Sequence, residues 1–180
     1  MSLEATRVVI LVGHGAPPAD FPRDELTRLK ALEGRRRASG APMSEEERAL
    51  DERVRTWPRT AASDPYQAGF QKVHAALARA LAPVPVRVAY NEFCAPSLDD
   101  AVRAAVAEGA RRVDVVPSML TPGGVHSEVE IPETLEALRG ELAGVAIHYA
   151  WPFSLEDVAA LLARQLDLRC PAPPEPEPTP

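Results

Sequence analysis

Four short runs rich in β-branched and other apolar residues alternate with segments of helical periodicity along most of the chain. The runs lie at residues 8–12, 86–90, 113–116 and 145–150. The first is continuously apolar, which is typical of a strand buried on both faces of a sheet. Because strand–helix–strand connections are right-handed, the alternation predicts an α/β fold with a four-stranded parallel sheet and helices on both faces.

Capping residues mark where several of the helices begin. A Ser or Asp is followed three residues later by a residue at the capping-box position, and Pro65 stands at the favoured first helical position. These pairs are Ser44 and Glu47, Asp64 and Gln67, and Ser97 and Asp100. The last helix, at residues 154–168, has an apolar stripe that predicts an inward face. Its members are Val158, Leu161, Leu162 and Leu166.

One segment, at about residues 23–62, interrupts the alternation. It is dense in charge and poor in large apolar residues, and its pattern predicts two helices, at about 24–37 and 44–55. We interpret it as a helical insertion in an α/β domain of residues 1–168. Residues 169–180 are rich in proline and glutamate, which predicts a disordered tail because such a composition cannot bury apolar area.

The composition restricts the classes of function. No apolar run approaches the roughly 20 residues that span a bilayer, and we find no secretory signal. The two cysteines, Cys94 and Cys170, do not make a disulfide framework, so we expect a cytoplasmic protein that needs no membrane. The formal net charge of −6 disfavours nucleic acid as a partner.

Polar side chains follow the first three strands, at the point where each strand ends. These are His14 in a Gly-His-Gly turn, Glu92, and His126 beyond a glycine-rich loop. Open α/β sheets bind ligands at the carboxyl ends of their strands, and neighbouring strands would bring these three side chains together. Two imidazoles and a carboxylate suit a divalent transition metal such as Co²⁺, Fe²⁺, Ni²⁺ or Zn²⁺ and leave coordination positions open.

Several other sites with a strand-end histidine or a glycine turn are disfavoured. Histidine phosphatases have Arg immediately before the phosphoaccepting histidine, where this chain has Gly13. A G-x-S-x-G nucleophile elbow is absent from the sequence, and neither a P-loop nor a G-x-G-x-x-G fingerprint follows the first strand.

Three motifs in order make the chain resemble the small class II chelatases, the sirohydrochlorin cobaltochelatase and ferrochelatase family (CbiX/SirB-like). The matching pieces are Gly13-His14-Gly15, residues 91–98 (NEFCAPSL), and residues 115–120 (VVPSML) leading to Gly124-Val125-His126 and Glu130-Ile131-Pro132. The resemblance implies a flavodoxin-like module, in a short single-module form, acting as a metal chelatase, a lyase of cobalamin- or siroheme-type biosynthesis. It implies ATP-independent insertion of Co²⁺ or Fe²⁺, or else Ni²⁺, into sirohydrochlorin or a related tetrapyrrole, with no nucleotide cofactor.

The family's metal-binding histidines fall on His14 and His126, and its strand-end carboxylate falls on Glu92. These three are therefore expected to be both the metal ligands and the catalytic residues. A histidine can accept a pyrrole proton, since imidazole changes charge near neutral pH, and Glu92 can balance the metal charge or act as a base. Glu128 and Glu130 are secondary candidates that deliver metal or orient His126.

Weaker candidates for binding the tetrapyrrole come from the glycine turns and from a basic run in the insertion, which could meet the substrate's carboxylates. They are Gly13, Gly15, Gly123, Gly124, Arg35, Arg36 and Arg37. For the remaining histidines and for Cys94 we expect structural roles: His74 partly exposed on a helix, His148 in the core, and Cys94 buried.

The chain departs from the family pattern in two positions and in its insertion. Ala16 stands where the family usually has Ser, and Glu130 stands where it usually has Asp. The complete cavity of such enzymes needs two modules, so a homodimer is expected unless the insertion closes the site instead. The alternative function is that of a non-catalytic relative that binds a metal or a tetrapyrrole.

Overall fold

A four-stranded parallel sheet forms the centre of the structure, a computed structural model that describes residues 6–170. The strands are β1 (Arg7–Gly13), β2 (Val86–Tyr90), β3 (Arg112–Pro117) and β4 (Ala146–Tyr149). Their order in the sheet is β2-β1-β3-β4, and every neighbouring pair is parallel. The predicted α/β fold is confirmed, and β1, β2 and β3 are adjacent, as the convergence of their ends requires.

Residues 6–170 contain six α-helices. They are α1 (Arg23–Ser39), α2 (Glu45–Thr56), α3 (Pro65–Leu81), α4 (Leu98–Ala107), α5 (Ile131–Glu141) and α6 (Leu155–Arg169). The predicted caps are confirmed, because Ser44, Asp64 and Ser97 each accept a hydrogen bond from the backbone N–H three residues later. One π-helical turn, His126–Glu130, leads directly into α5.

The two faces of the sheet are covered by different helices. On one face, α4 and α5 bury residues such as Val102 and Leu135 against β1 and β3. On the other face, Phe70 of α3 packs with Leu11 and Tyr90. Burying side chains of this size is worth about 1.5–3 kcal/mol each, so these two layers hold the strand ends in place.

His148 is exposed, so its predicted place in the core is wrong. Alternation along β4 turns Ile147 toward the α4–α5 side, where it is buried, and turns His148 to the opposite face. β4 is also one of the two edge strands of the sheet. His74 and Cys94 behave as predicted: the His74 ring bonds the Val86 carbonyl oxygen at 2.9 Å, and Cys94 is fully buried.

The insertion forms two helices, as predicted, and they pack on the loop that follows β2. Leu29 of α1 and Val54 of α2 share an apolar cluster with Phe21 and Phe93. Phe93 is the residue after Glu92, and it adopts a left-handed backbone conformation with φ 56°. The insertion therefore contacts the same loop that carries a predicted site residue.

A buried ion pair lies at the C-terminal end of the insertion. The Arg59 guanidinium lies 2.8 Å from an Asp64 carboxylate oxygen, and the two side chains are only 6% and 1% exposed. Arg59 also donates to the backbone carbonyl groups of Val54, Trp57 and Phe93. The pair thus joins the end of α2, the cap of α3 and the loop after β2.

The described chain divides into two compact units between Ala150 and Trp151, and α6 lies in the second unit. That the apolar stripe of α6 faces inward stays a prediction. Apolar periodicity shows that a helix has an apolar face, but it does not specify a surface to cover it.

The predicted domain boundaries at 1–168 and 169–180 stay a prediction, and most of the predicted tail, residues 171–180, lies outside the described residues. Among the helices of residues 6–170, we find none with the length and apolar character needed to cross a bilayer.

Replacing Arg59 by Ala should lower the free energy of unfolding by about 3–5 kcal/mol, because Asp64 would keep a buried charge without its partner. Urea unfolding followed by circular dichroism measures the change. Arg48→Ala, an exposed position on α2, is the control and should stay close to the wild type. If Arg59→Ala were as stable as this control, the ion pair would not hold the insertion.

Candidate metal centre

The turn after β1 and the loop after β2 continue the pairing of their strands. Beyond the strand ends, the Asn91 N–H donates to the Gly13 carbonyl oxygen at 2.9 Å, and the Glu92 N–H donates to the His14 carbonyl oxygen at 2.8 Å. These two backbone bonds place His14 and Glu92 directly beside each other. Their proximity is thus a consequence of the parallel register of β1 and β2.

Two glycines allow this close approach. Gly15 has φ +91°, and a Cβ there would lie 1.8 Å from the Glu92 carbonyl oxygen. A Cβ on Gly13 would lie 2.9 Å from the ring of Phe70. No side chain larger than hydrogen fits at Gly15 without moving the Glu92 loop. Binding of a tetrapyrrole by these glycines stays a prediction.

His126 lies at the start of the π-helical turn, not within the preceding glycine-rich loop. The Tyr149 hydroxyl of β4 donates to the buried Ser127 carbonyl oxygen at 2.9 Å and anchors this turn to the sheet. Burial raises the pKa of Tyr149 to about 12, so its hydroxyl stays a donor at neutral pH. π-helical turns are often found at functional sites, where the wider turn re-aims side chains.

Glu128 and the loop glycines fold back on each other at the surface. The Gly123 N–H donates to a Glu128 carboxylate oxygen at 2.8 Å, and the Glu128 N–H donates to the Gly124 carbonyl oxygen at 3.0 Å. All three residues are exposed. Glu128 therefore shapes the loop before His126, and of the two secondary candidates it is Glu130 that contacts His126.

The three strand-end side chains come together as one cluster. The Nε2 atoms of His14 and His126 are 3.1 Å apart. The Glu92 carboxylate lies 4.0 Å from His14 Nε2 through one oxygen and 3.9 Å from His126 Nε2 through the other. Ligand atoms of all three lie within 4.8 Å of one another, so the three residues form a group that could hold one metal ion.

Hydrogen bonds at Nδ1 orient both imidazole rings. His14 Nδ1 lies 2.8 Å from the Gly15 carbonyl oxygen, and His126 Nδ1 lies 2.7 Å from a Glu130 carboxylate oxygen. A proton on Nδ1 in both rings, the tautomer that these two acceptors favour, leaves a lone pair on each Nε2. Two such lone pairs can bind one cation, as in metal sites with a carboxylate or carbonyl behind each histidine.

Asn91 and Arg37 complete the surroundings of Glu130. The Asn91 amide donates to the Glu130 oxygen that faces His126, at 2.7 Å, and Arg37 contacts the other oxygen at 2.8 Å. Burial alone would raise the pKa of the Glu130 carboxyl. Hydrogen bonds from His126 and Asn91, with the nearby charge of Arg37, outweigh burial and hold that pKa below its ordinary value. Glu130 is therefore an ionised acceptor behind His126 at neutral pH.

The three arginines of the predicted basic run have different surroundings. Arg35 bonds the Ala31 carbonyl oxygen of its own helix. Arg36 pairs with the buried Glu47 at 2.7 Å. Only Arg37 reaches the histidine–glutamate cluster, where it lies 3.6 Å from Glu92. Contact between any of the three and a substrate stays a prediction.

Two cavities adjoin the cluster, and Arg37 and Glu92 line both. One, of about 480 Å³, lies between the insertion and the His126 side, where Met43, Val125 and Val129 line it. The other, of about 450 Å³, is bordered by His14, Lys30 and Phe93. Val125 and Val129 are large apolar residues that are nearly half exposed. The insertion thus supplies one wall of the space in front of the cluster.

Sequence reasoning identified the three central residues but missed those that position them. Asn91 was part of a quoted motif without an assigned role. Arg55 of α2 was missed too: its two terminal nitrogens donate to the carbonyl oxygens of Cys94 and Asn91 at 3.0 and 3.1 Å. The sequence feature that could have indicated a role for Asn91 is its position directly before Glu92 at the end of a strand.

The family model CbiX matches residues 61–167. This match takes in more than half of the chain. The chain belongs to the CbiX family. The matched part contains Glu92 and His126, whereas His14 and the two helices of the insertion lie before it. The family resemblance stated from the motifs is confirmed.

Solved structures share the fold. The CbiX protein from Marinobacter aquaeolei VT8, named for cobalamin (vitamin B12) biosynthesis, has a TM-score of 0.53 and 21% identity. The match covers 89% of this chain and 92% of that one. SirB from Bacillus subtilis with Fe³⁺ has a TM-score of 0.50 and 21% identity over 92% of this chain. The match covers 48% of SirB, so this CbiX-family chain spans about half of its length. No curated protein matches the sequence.

Replacing Glu130 by Gln should weaken Co²⁺ binding by about 10–100-fold, because His126 loses the anionic acceptor that holds its proton on Nδ1. Nitrogen NMR shifts should show that the Nδ1–H tautomer of His126 is depleted. Glu128→Gln is the matched comparison, since that carboxylate bonds a backbone N–H instead of a histidine. Equal effects of the two substitutions would show that Glu130 does not orient His126.

Proposed function

We propose that this chain is a class II chelatase that inserts a divalent metal ion into sirohydrochlorin or a related tetrapyrrole without ATP. The observation that carries the proposal is the 3.1 Å approach of the Nε2 atoms of His14 and His126, with the Glu92 carboxylate beside both. Membership of the CbiX family supports it. A place in cobalamin- or siroheme-type biosynthesis is part of the proposal.

His14, His126 and Glu92 are the proposed ligands of the incoming metal ion. Three protein ligands leave coordination positions open, and the pyrrole nitrogens of the substrate can take them. Co²⁺ and Fe²⁺ are the proposed metals, with Ni²⁺ as a further one, because imidazole and carboxylate donors accept all three. SirB, which shares the fold, has a structure with Fe³⁺.

Insertion of the metal releases two pyrrole protons, so acceptors must lie beside the macrocycle. As each metal–protein bond is replaced by a metal–pyrrole bond, the freed lone pair of His14 or His126 can accept one proton. Glu130, ionised behind His126, would stabilise the resulting imidazolium. Glu92 is the second acceptor, since its negative charge is no longer balanced once the metal leaves.

The exposure of the two histidines indicates the side from which the tetrapyrrole approaches. The His14 side chain is 42% exposed and that of His126 only 17%. The cavity on the His14 side is bordered by Lys30, which forms no salt bridge within residues 6–170. We therefore assign that cavity to the macrocycle and Lys30 to one of its carboxylates.

Co²⁺ titration followed by visible absorption tests the metal site. Wild type should show one saturable site, and His14→Ala and His126→Ala should each weaken binding at least about 100-fold, because each removes a ligand. His148→Ala replaces an exposed histidine of β4 and should bind like the wild type. If neither His14→Ala nor His126→Ala changed binding, the proposed function would be wrong.

A second assay separates an enzyme from a non-catalytic binding relative. Sirohydrochlorin and Co²⁺ are mixed with and without protein, and metal insertion is followed by the change in the tetrapyrrole absorption. The proposed function requires insertion faster than the spontaneous rate, with loss of the acceleration in His126→Ala. Binding of Co²⁺ or sirohydrochlorin without faster metal insertion would favour the non-catalytic binding relative.

We propose a homodimer as the working form, because the chain spans about half of SirB. The insertion is the alternative means of closing the site, and the cavity that it lines supports that alternative. Light scattering of the purified protein should give the mass of two chains. If the protein had the mass of a single chain and still inserted metal, the helical insertion would be what closes the site.

A further inference from the structure

Arg37 of the insertion lies among the carboxylates of the metal centre. Its guanidinium is 2.8 Å from Glu130 and 3.6 Å from Glu92, and it also pairs with Glu33 one turn earlier on α1. This residue precedes the part of the chain that the family model matches. The insertion thus places a permanent positive charge beside two histidines and a glutamate that are suited to a metal ion.

The contact with Glu92 involves the oxygen that a metal ion would need. Arg37 approaches Oε1 of Glu92, and the same Oε1 is the atom that faces His126 Nε2 at 3.9 Å. An ion bound between His126 and Glu92 must share this oxygen with Arg37 or displace it. In addition, a guanidinium a few ångströms away repels a divalent cation directly.

We propose that Arg37 weakens the binding of the divalent metal by sharing Glu92, so that the ion is held loosely enough to be transferred. The inference rests on the proposed function, in which the metal is a substrate. Binding a substrate more tightly in the ground state does not speed the chemical step and makes its release harder. As the metal leaves, the Glu92 carboxylate can pair with Arg37 again. This pairing offsets the free energy lost with the metal–carboxylate bond.

The position of Arg37 permits such an exchange of partners. Its side chain is 44% exposed, and it stands in the last turn of α1, which ends at Ser39. A guanidinium at this position can stay paired with Glu33 and Glu130 while it releases Glu92. The pairing with Glu33 is within the helix, so the exchange requires no movement of the insertion.

The test compares Co²⁺ dissociation constants of the full chain by visible absorption. Arg37→Gln keeps helix propensity and removes the charge, and it should bind Co²⁺ about tenfold more tightly than the wild type. Arg37→Lys, which keeps the charge, should bind more weakly than Arg37→Gln. Arg23→Gln, an exposed arginine at the other end of α1, removes the same charge at a distance and should match the wild type.

Transfer of the metal provides the second readout. In a single turnover with preloaded Co²⁺, Arg37→Gln should pass the ion to the tetrapyrrole more slowly than the wild type, in spite of its tighter binding. A role of Arg37 in holding the insertion in place would give the opposite result for binding, because a displaced insertion would not tighten the site.

The outcomes separate this inference from the proposed function. If His14→Ala loses Co²⁺ but Arg37→Gln binds no more tightly than the wild type, the metal site stands and the role of Arg37 is refuted. If neither the wild type nor Arg37→Gln binds Co²⁺, both proposals fail. Tighter binding in Arg37→Gln, lost again when His14→Ala is added, supports both.

Discussion

The candidate site depends on how the backbone carbonyl groups of the loop after β2 are satisfied. This loop carries Glu92, and buried carbonyl groups without a partner would cost free energy. Arg55 donates to the carbonyl oxygens of Asn91 and Cys94, and Arg59 donates to that of Phe93. Both arginines come from the insertion or its end, so the position of Glu92 depends on a segment distant from it in sequence.

The insertion therefore has two functions in the architecture, one structural and one electrostatic. Its apolar residues and two arginines hold the loop that carries Glu92, while the exposed end of α1 brings Arg37 within 3.6 Å of the Glu92 carboxylate. Charge-dense segments of this kind are usually solvated surface, and α1 buries only Leu29. In this chain some of the charged side chains are buried, namely Glu47, Asp64 and Arg59. Loss of one partner of a buried ion pair is costly, so their pairing is energetically important.

The sequence predicted those features that follow from periodicity and topology. Strand ends in a parallel sheet meet at one edge, so the convergence of His14, Glu92 and His126 required only the order of the strands. The roles of Asn91 and Arg59 could not be predicted, because they depend on how far a side chain reaches across tertiary contacts. The error at His148 has a physical cause. An apolar pattern shows which face could be buried, whereas the neighbouring elements decide whether it is.

The side chain of His126 is held by more contacts than that of His14, and this difference bears on the proposed transfer of a metal ion. His126 starts a helical turn that Tyr149 ties to β4, and its ring is backed by an ionised Glu130 that Asn91 orients. His14 has one neutral acceptor, the Gly15 carbonyl oxygen, and a more exposed ring. A hydrogen bond to a carboxylate strengthens the donor power of the opposite ring nitrogen more than a bond to a carbonyl group does. If the two histidines bind a metal ion as proposed, the metal–His14 bond is expected to break first.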